Sequence, residues 1–305
     1  MEQEQDFIMK PKVDFCFKEL MEDAEVRKGF IAAVLGVAPE DIGKTTLLPT
    51  HLGRQREDDK LGILDVRVCL TDRTQMDMEI QVASFKYWQE RSLFYLSKMY
   101  ADQIDAGDGY GALGKCIHVG ILDFTLFSGE KEYYSKFHIR EDTRHQLYTD
   151  KLEIHILELP KLSRYEYPEN ELLDWARFIN AEQKKEMEAV AEKKRYVNKA
   201  YEKLVNISAD EEKRLEYEAR EKAIRDHNHL ISVNRSEGRE EGRREGRIEA
   251  KAESVLEVLE EFGTVPEQLR TVILSQTDMD TLKHWLKLAV RADSMEEFAE
   301  KIEEK

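Results

Sequence analysis

The stretch from Leu61 to Val82, LGILDVRVCLTDRTQMDMEIQV, alternates apolar and polar residues twice over. Leu64, Val66, Val68 and Leu70 form one apolar series, and Met76, Met78, Ile80 and Val82 form the next. A period of two marks a strand with one buried face, so the stretch predicts two consecutive strands. Asp72, Arg73 and Thr74 interrupt the alternation with turn formers, and the simplest connection is an antiparallel hairpin with a loop of a few residues.

The opposite face of this hairpin carries Asp65, Arg67 and Cys69, then Asp77, Glu79 and Gln81. Glu79 and Gln81 are two apart and must point the same way. If Thr71 lies opposite Gln75, Asp65 falls across from Gln81 with Glu79 on the diagonal; a two-residue shift sets Asp65 opposite Glu79. Either register gathers all three side chains within cross-strand reach. Two carboxylates held that close repel, and a shared proton or a divalent cation relieves the repulsion. Mg²⁺ (or Mn²⁺), held by two carboxylates and completed by water and phosphate oxygens, is the machinery of phosphodiester hydrolysis. The competing reading is a solvated polar face, common in antiparallel sheets, on which acidic residues need no function.

The flanking segments supply candidate partners for that face. From Asp14 to Leu35, Phe17, Leu20, Met21, Phe30, Ile31, Val34 and Leu35 fit one helical stripe stopped by Gly36. Asp14 falls in its first turn, where the helix dipole alone favours a carboxylate. The polar stretch His51 to Lys60 predicts a loop whose Arg54, Arg56 and Lys60 are candidates for a basic rim. Ser84 to Ile104 predicts a helix rich in aromatic residues, most of them core; Arg91 and Tyr95, one turn apart, share a face that would point at the carboxylates. After the Gly-rich loop GDGYG, the almost unbroken apolar run Ile117 to Phe124 predicts a strand buried on both faces and a crossover into a mixed sheet. Phe137 to Arg140 and Leu152 to Leu159 add short strands, and Glu171 to Ile179 a short amphipathic helix.

At Ala181 the composition turns abruptly to Glu, Lys, Arg and Ala, which marks a domain boundary. Ser208 with Glu211 forms one capping box, and Thr264 with Glu267 another, opening Val265 to Leu274. Between them EGREEGRREGR, Glu237 to Arg247, sets Gly238, Gly242 and Gly246 along one helical stripe. Glycine costs a helix about 1 kcal/mol against alanine, so the segment is either a flexible charged tether or a helix whose glycine face packs on a partner. Leu282, Trp285, Leu286, Leu288 and Ala289, with Met295, Phe298 and Ile302, predict a small helical cluster at the end.

Composition narrows the function classes. The chain is 305 residues long, 41% apolar and 36% charged, with 47 basic against 63 acidic residues and a net charge of −16. That balance excludes tight nonspecific nucleic-acid binding by the whole surface, though a local basic rim or bound cations would still serve a single site. Cys16, Cys69 and Cys116 form no CxxC pair and predict buried thiols in a reducing cytoplasm. No stretch approaches the apolar length of a membrane span, and no histidines show metal-ligand spacing.

Asp65 followed fourteen residues later by Glu79-Ile80-Gln81 resembles the hairpin of the PD-(D/E)xK nucleases, in the variant of the recombination-promoting nuclease/putative transposase family that carries Gln in the Lys position. VDFCFKEL, ending at Leu20, is similar to the opening helix of that family, and Phe85, Trp88, Arg91, Tyr95 and Tyr100 to its second helix; IHVGILDF and LEIHILELPKL resemble later strands. The resemblance implies an α/β fold with a PD-(D/E)xK nuclease-like mixed sheet flanked by helices, and the composition after Ala181 adds a long charged helical C-terminal region. The resemblance covers about the first 180 residues, and with the change of composition at Ala181 and the patterns beyond it the chain divides into a nuclease-like domain over 1–180, a charged helical linker or coiled region over 181–250 and a small helical region over 251–305. The resemblance also implies metal-dependent DNA endonuclease activity linked to recombination or transposition, with Asp65 and Glu79 holding the metal, Gln81 orienting the attacking water, and Asp14, Lys18, Arg91 and Tyr95 in support. A neutral Gln cannot supply positive charge to the transition state. A weak or inactive nuclease fold, acting as a DNA-binding or homo-oligomeric module through its helical tail, is the alternative.

Overall fold

The computed structural model describes residues 7–52, 62–84 and 86–303. Phe85 and the loop arginines and lysine, Arg54, Arg56 and Lys60, lie outside the described residues. Two compact units divide the chain, 1–227 and 228–305.

The larger unit is built on a mixed sheet. Its strands are β1 (Thr46–Leu47), β4 (Val66–Cys69), β5 (Gln75–Gln81), β6 (Cys116–Leu122), β7 (Tyr134–Arg140) and β8 (Leu147–Glu158), in the order β1-β4-β5-β6-β8-β7; β2 (His51–Leu52) and β3 (Gly62–Ile63) form a separate pair. β5, β6 and β8 run parallel, and β1, β4 and β7 are antiparallel to their neighbours. The apolar run after the GDGYG loop is β6, buried at every position as a central parallel strand must be.

One face of the sheet, with Val66, Val68, Met76, Met78, Ile80, Ile117, Val119 and Ile121, joins the main core. Against it pack α1 (Asp14–Glu22), α2 (Ala24–Leu35), α4 (Glu171–Asn180) and α6 (Arg195–Ser208), and α5 (Lys184–Ala191) adds Met187. The Phe17, Phe30 and Trp175 rings meet edge to face within this core. The other face is covered by α3 (Trp88–Ala101), which is the β5–β6 crossover, through Trp88, Tyr95, Leu96 and Met99.

Several local expectations are corrected. The stripe over Asp14 to Leu35 is two helices, because Asp23 takes extended backbone and caps α2 by accepting from the amides of Glu25 (2.8 Å) and Val26 (3.1 Å). Ser208 caps nothing: it ends α6, its hydroxyl bonds Leu204 and Met9, and Asp210 caps α7 (Glu211–Glu260) in its place. The Thr264 box is likewise not formed, since α8 (Glu267–Leu274) follows Pro266 without a side-chain cap. Cys16 and Cys116 are buried free thiols, whereas Cys69 is half-buried. The core also runs past residue 180. Val197, Ala200, Leu204 and Ile207 of α6 and Tyr217 of α7 belong to it, because the sparse apolar residues of this polar stretch fall on single helical faces.

In the smaller unit, Ala252, Val255, Leu256 and Leu259 of α7 pack with α8, α9 (Met279–Arg291) and α10 (Met295–Glu303) through Ile273, Leu282, Trp285, Ala289 and Phe298. The glycine-bearing segment is continuous helix within α7. No helix among the described residues is long and apolar enough to cross a membrane.

Candidate active site

The turn between β4 and β5 decides the register on which the site depends. Asp72 accepts from the Thr74 amide and hydroxyl, both at 2.9 Å, and Arg73 takes the left-handed conformation at φ 68°. This loop pairs Cys69 with Gln75 and Val66 with Met78. Continued by one residue, the pairing sets Asp65 beside Glu79, the second of the two registers open from sequence. Asp65 Oδ2 accepts from the Ile80 amide at 3.1 Å, which ties the end of β4 to the far half of β5.

Around this pair stand most of the residues singled out by the pattern. Asp14, in the first turn of α1, lies 4.0 Å from Lys18 Nζ, which reaches Asp65 Oδ1 at 3.0 Å. Arg91 of α3 pairs with Glu79 Oε1 and donates to Gln81 Oε1 at 3.4 Å, and its guanidinium lies over the Tyr95 ring at 5.3 Å. Asp14, Asp65, Glu79, Gln81 and Arg91 line a cleft of about 360 Å³. Tyr95 is buried beneath Arg91, and that burial pushes its phenol up.

Glu79 is 2% exposed, so the solvated-face reading fails for it. Burial pushes its carboxyl up to about 7, against the opposing pull of Arg91 and then His118. One of its oxygens, Oε2, is buried without a hydrogen-bond partner. A buried carboxylate oxygen without a partner, on a strand position beside a second carboxylate, belongs to a donor set suited to a hard divalent cation. Lys18 and Arg91 meanwhile give each carboxylate a counter-charge.

Two features escaped sequence reasoning. Behind Glu79, Asp77 Oδ2 meets His118 Nδ1 of β6 at 2.7 Å, both residues fully buried. Ligand atoms of Asp77, Glu79 and His118 lie within 4.8 Å of one another, a second grouping able to hold a cation. Burial pulls the His118 imidazole down, but Asp77 outweighs it and the net shift is upward. The available signal was a lone imidazole in an apolar run, two positions before Gly120, where an added Cβ would meet Trp88 Cζ2 at 2.6 Å. The second feature is the α7 wall of the cleft. Arg220, Ala223, Ile224 and His227 line it, and Arg220 approaches Asp14 to 3.9 Å. Tyr217, 2% exposed, anchors that wall, and its hydroxyl accepts from the Lys10 amide at 3.3 Å. No local motif announces a contact spanning two hundred residues.

A helix, an acidic hairpin, a covering helix and a parallel strand, with the hairpin carboxylates at one cleft, match the order of elements in the nuclease fold. The family model for the PD-(D/E)XK nuclease family transposases matches residues 11–234. The chain belongs to that family. The matched span takes in α5, α6 and the start of α7, in accord with a core that continues past residue 180. No curated protein and no solved structure matches the chain.

Proposed function

We propose that this chain is a metal-dependent DNA endonuclease that hydrolyses phosphodiester bonds in the service of recombination or transposition, acting in the cytoplasm. The observation that carries the reading is the juxtaposition of Asp65 and Glu79 at the cleft, with Glu79 Oε2 unpartnered. Asp65 and Glu79 would hold Mg²⁺ or Mn²⁺, which when bound lowers the pKa of a water and stabilises charge on the phosphate. Gln81 orients the attacking water. Its carbonyl faces Arg91, so the positive charge that a lysine would bring comes from the Arg91 guanidinium next to it. Lys18 holds the Asp65 carboxylate in place, and Asp14 holds Lys18. DNA is the substrate, and copies of the chain associate through the C-terminal helical region.

The test is cleavage of supercoiled plasmid with Mg²⁺, with Mn²⁺ and with EDTA, for wild type, Asp65→Asn and Glu79→Gln. Each substitution is expected to slow cleavage by about a thousandfold or more, the scale of losing a principal transition-state contact. Cleavage that survives EDTA, or that both variants retain, overturns the assignment. Gln81 favours the second reading, a nuclease fold kept for DNA binding alone; metal-dependent DNA binding with no cutting by wild type would establish it.

A further inference from the structure

Residues 234–247 of α7 are exposed on every side, and an added Cβ at Gly238, Gly242 or Gly246 would meet nothing within 4 Å. Nothing in this chain's own packing therefore calls for the three glycines, and each costs the helix about 1 kcal/mol. The charges beside them are arranged just as unfavourably. Arg235 and Arg239 lie within about 60° of the Gly242 direction on one half of the segment, and Glu245 and Glu249 on the other. Each pair is a like-charge i,i+4 contact, repulsive within one helix. Among the described residues, none of the four makes an ion pair within 4 Å.

The pattern resolves when the segment is turned end for end. EGREEGRREGR, read backwards with the two signs exchanged, returns itself. Glu237 then matches Arg247, Gly238 matches Gly246, Arg239 matches Glu245, and Gly242 matches itself; one turn further out Arg235 matches Glu249. A two-fold axis through Gly242 performs this operation on two copies of one helix, and an isologous contact requires such self-complementarity. A parallel, in-register pair would set arginine against arginine. The absent side chains let two backbones approach closely at the crossing.

We propose that residues 235–249 of α7 are the contact between two copies of this chain, packed antiparallel with Gly242 on the two-fold axis. Glycine meets glycine at the crossing, while Arg235 and Arg239 of each copy face Glu249 and Glu245 of the other.

The test uses the full chain in EDTA and reads mass by sedimentation, so it is indifferent to whether the protein cuts DNA. Wild type is expected to be dimeric. Arg235→Glu with Arg239→Glu, and separately Glu245→Arg with Glu249→Arg, should each raise the dimer dissociation constant by about tenfold or more, and an equimolar mixture of the two should restore dimers. Gly242→Cys should oxidise to a covalent dimer and Gly238→Cys should not, because the latter's partner position is Gly246, about 12 Å along the helix. A monomeric wild type, charge variants that dimerise as well as wild type, a mixture that stays apart, or equal cross-linking through residues 238 and 242 would each overturn the proposal.

Discussion

Replacing Glu79 by Gln isolates the cost of burying a carboxylate at the centre of the site. In the unfolded chain Glu79 titrates near its ordinary 4.5, and in the fold burial raises it to about 7. The fold thus holds the proton more tightly than the unfolded chain does. This contribution to stability is present in full below the unfolded value and is lost as pH rises through the folded one. At about 1.4 kcal/mol for each pH unit between the two values, the loss amounts to about 3 kcal/mol above pH 8. Gln has no proton to give up and still offers an oxygen to Arg91. Urea denaturation in EDTA, at about pH 5 and about pH 8.5, is the assay, with wild type and Glu79→Gln compared at each pH. Groups common to both proteins cancel in the difference, so Glu79→Gln should gain about 3 kcal/mol on wild type between the two conditions. Added Mg²⁺ should then stabilise wild type and leave the variant unmoved, since the ion needs the ionised carboxylate. A stability difference that does not change with pH would refute the argument, and so would equal stabilisation of both proteins by metal.

Gln81→Lys would set a second cation against Arg91 in place of the oxygen that Arg91 now bonds, so cleavage should slow by about tenfold in single-turnover assays, although lysine is the commoner residue of the motif. Gly120→Ala forces a methyl group against the buried Trp88 ring and toward Ile156, and should cost about 1–3 kcal/mol by denaturant titration without displacing any cleft residue. Arg220→Ala removes a cleft cation from α7 and should weaken DNA binding about fivefold, with a shallower salt dependence and an unchanged melting temperature.

How far the sequence carried depended on the distance over which each feature is determined. The alternation of Leu64 to Leu70 and Met76 to Val82 is local, and it identified both strands and the polar face between them. The register was not local in the same sense. It follows from the side-chain hydrogen bonds of Asp72 and the left-handed Arg73, which fix one of two pairings that the hydrophobic pattern tolerates equally. Asp23 split a helix because its cap outweighs a continuous apolar stripe, a competition that periodicity does not register. Asp14, Lys18, Asp65, Glu79, Gln81 and Arg91 were recognisable because they lie on segments with strong patterns and a family likeness. His118, Arg220 and His227 were not, since their places are set by a parallel strand pairing and by a helix that docks from far along the chain.

The placement of α6 and Tyr217 in the main core bears on how such a gene can change. Composition suggests a nuclease body ending near Asn180 with a dispensable charged extension, yet Val197, Leu204, Ile207 and Tyr217 fill the same interior as Phe17, Phe30 and Trp175. A fusion or exchange of modules joined at residue 181 would inherit an open interior and a cleft lacking one wall. Joined beyond His227, it would carry both intact, so the span that can be passed on as a unit is longer than the polarity of the chain advertises.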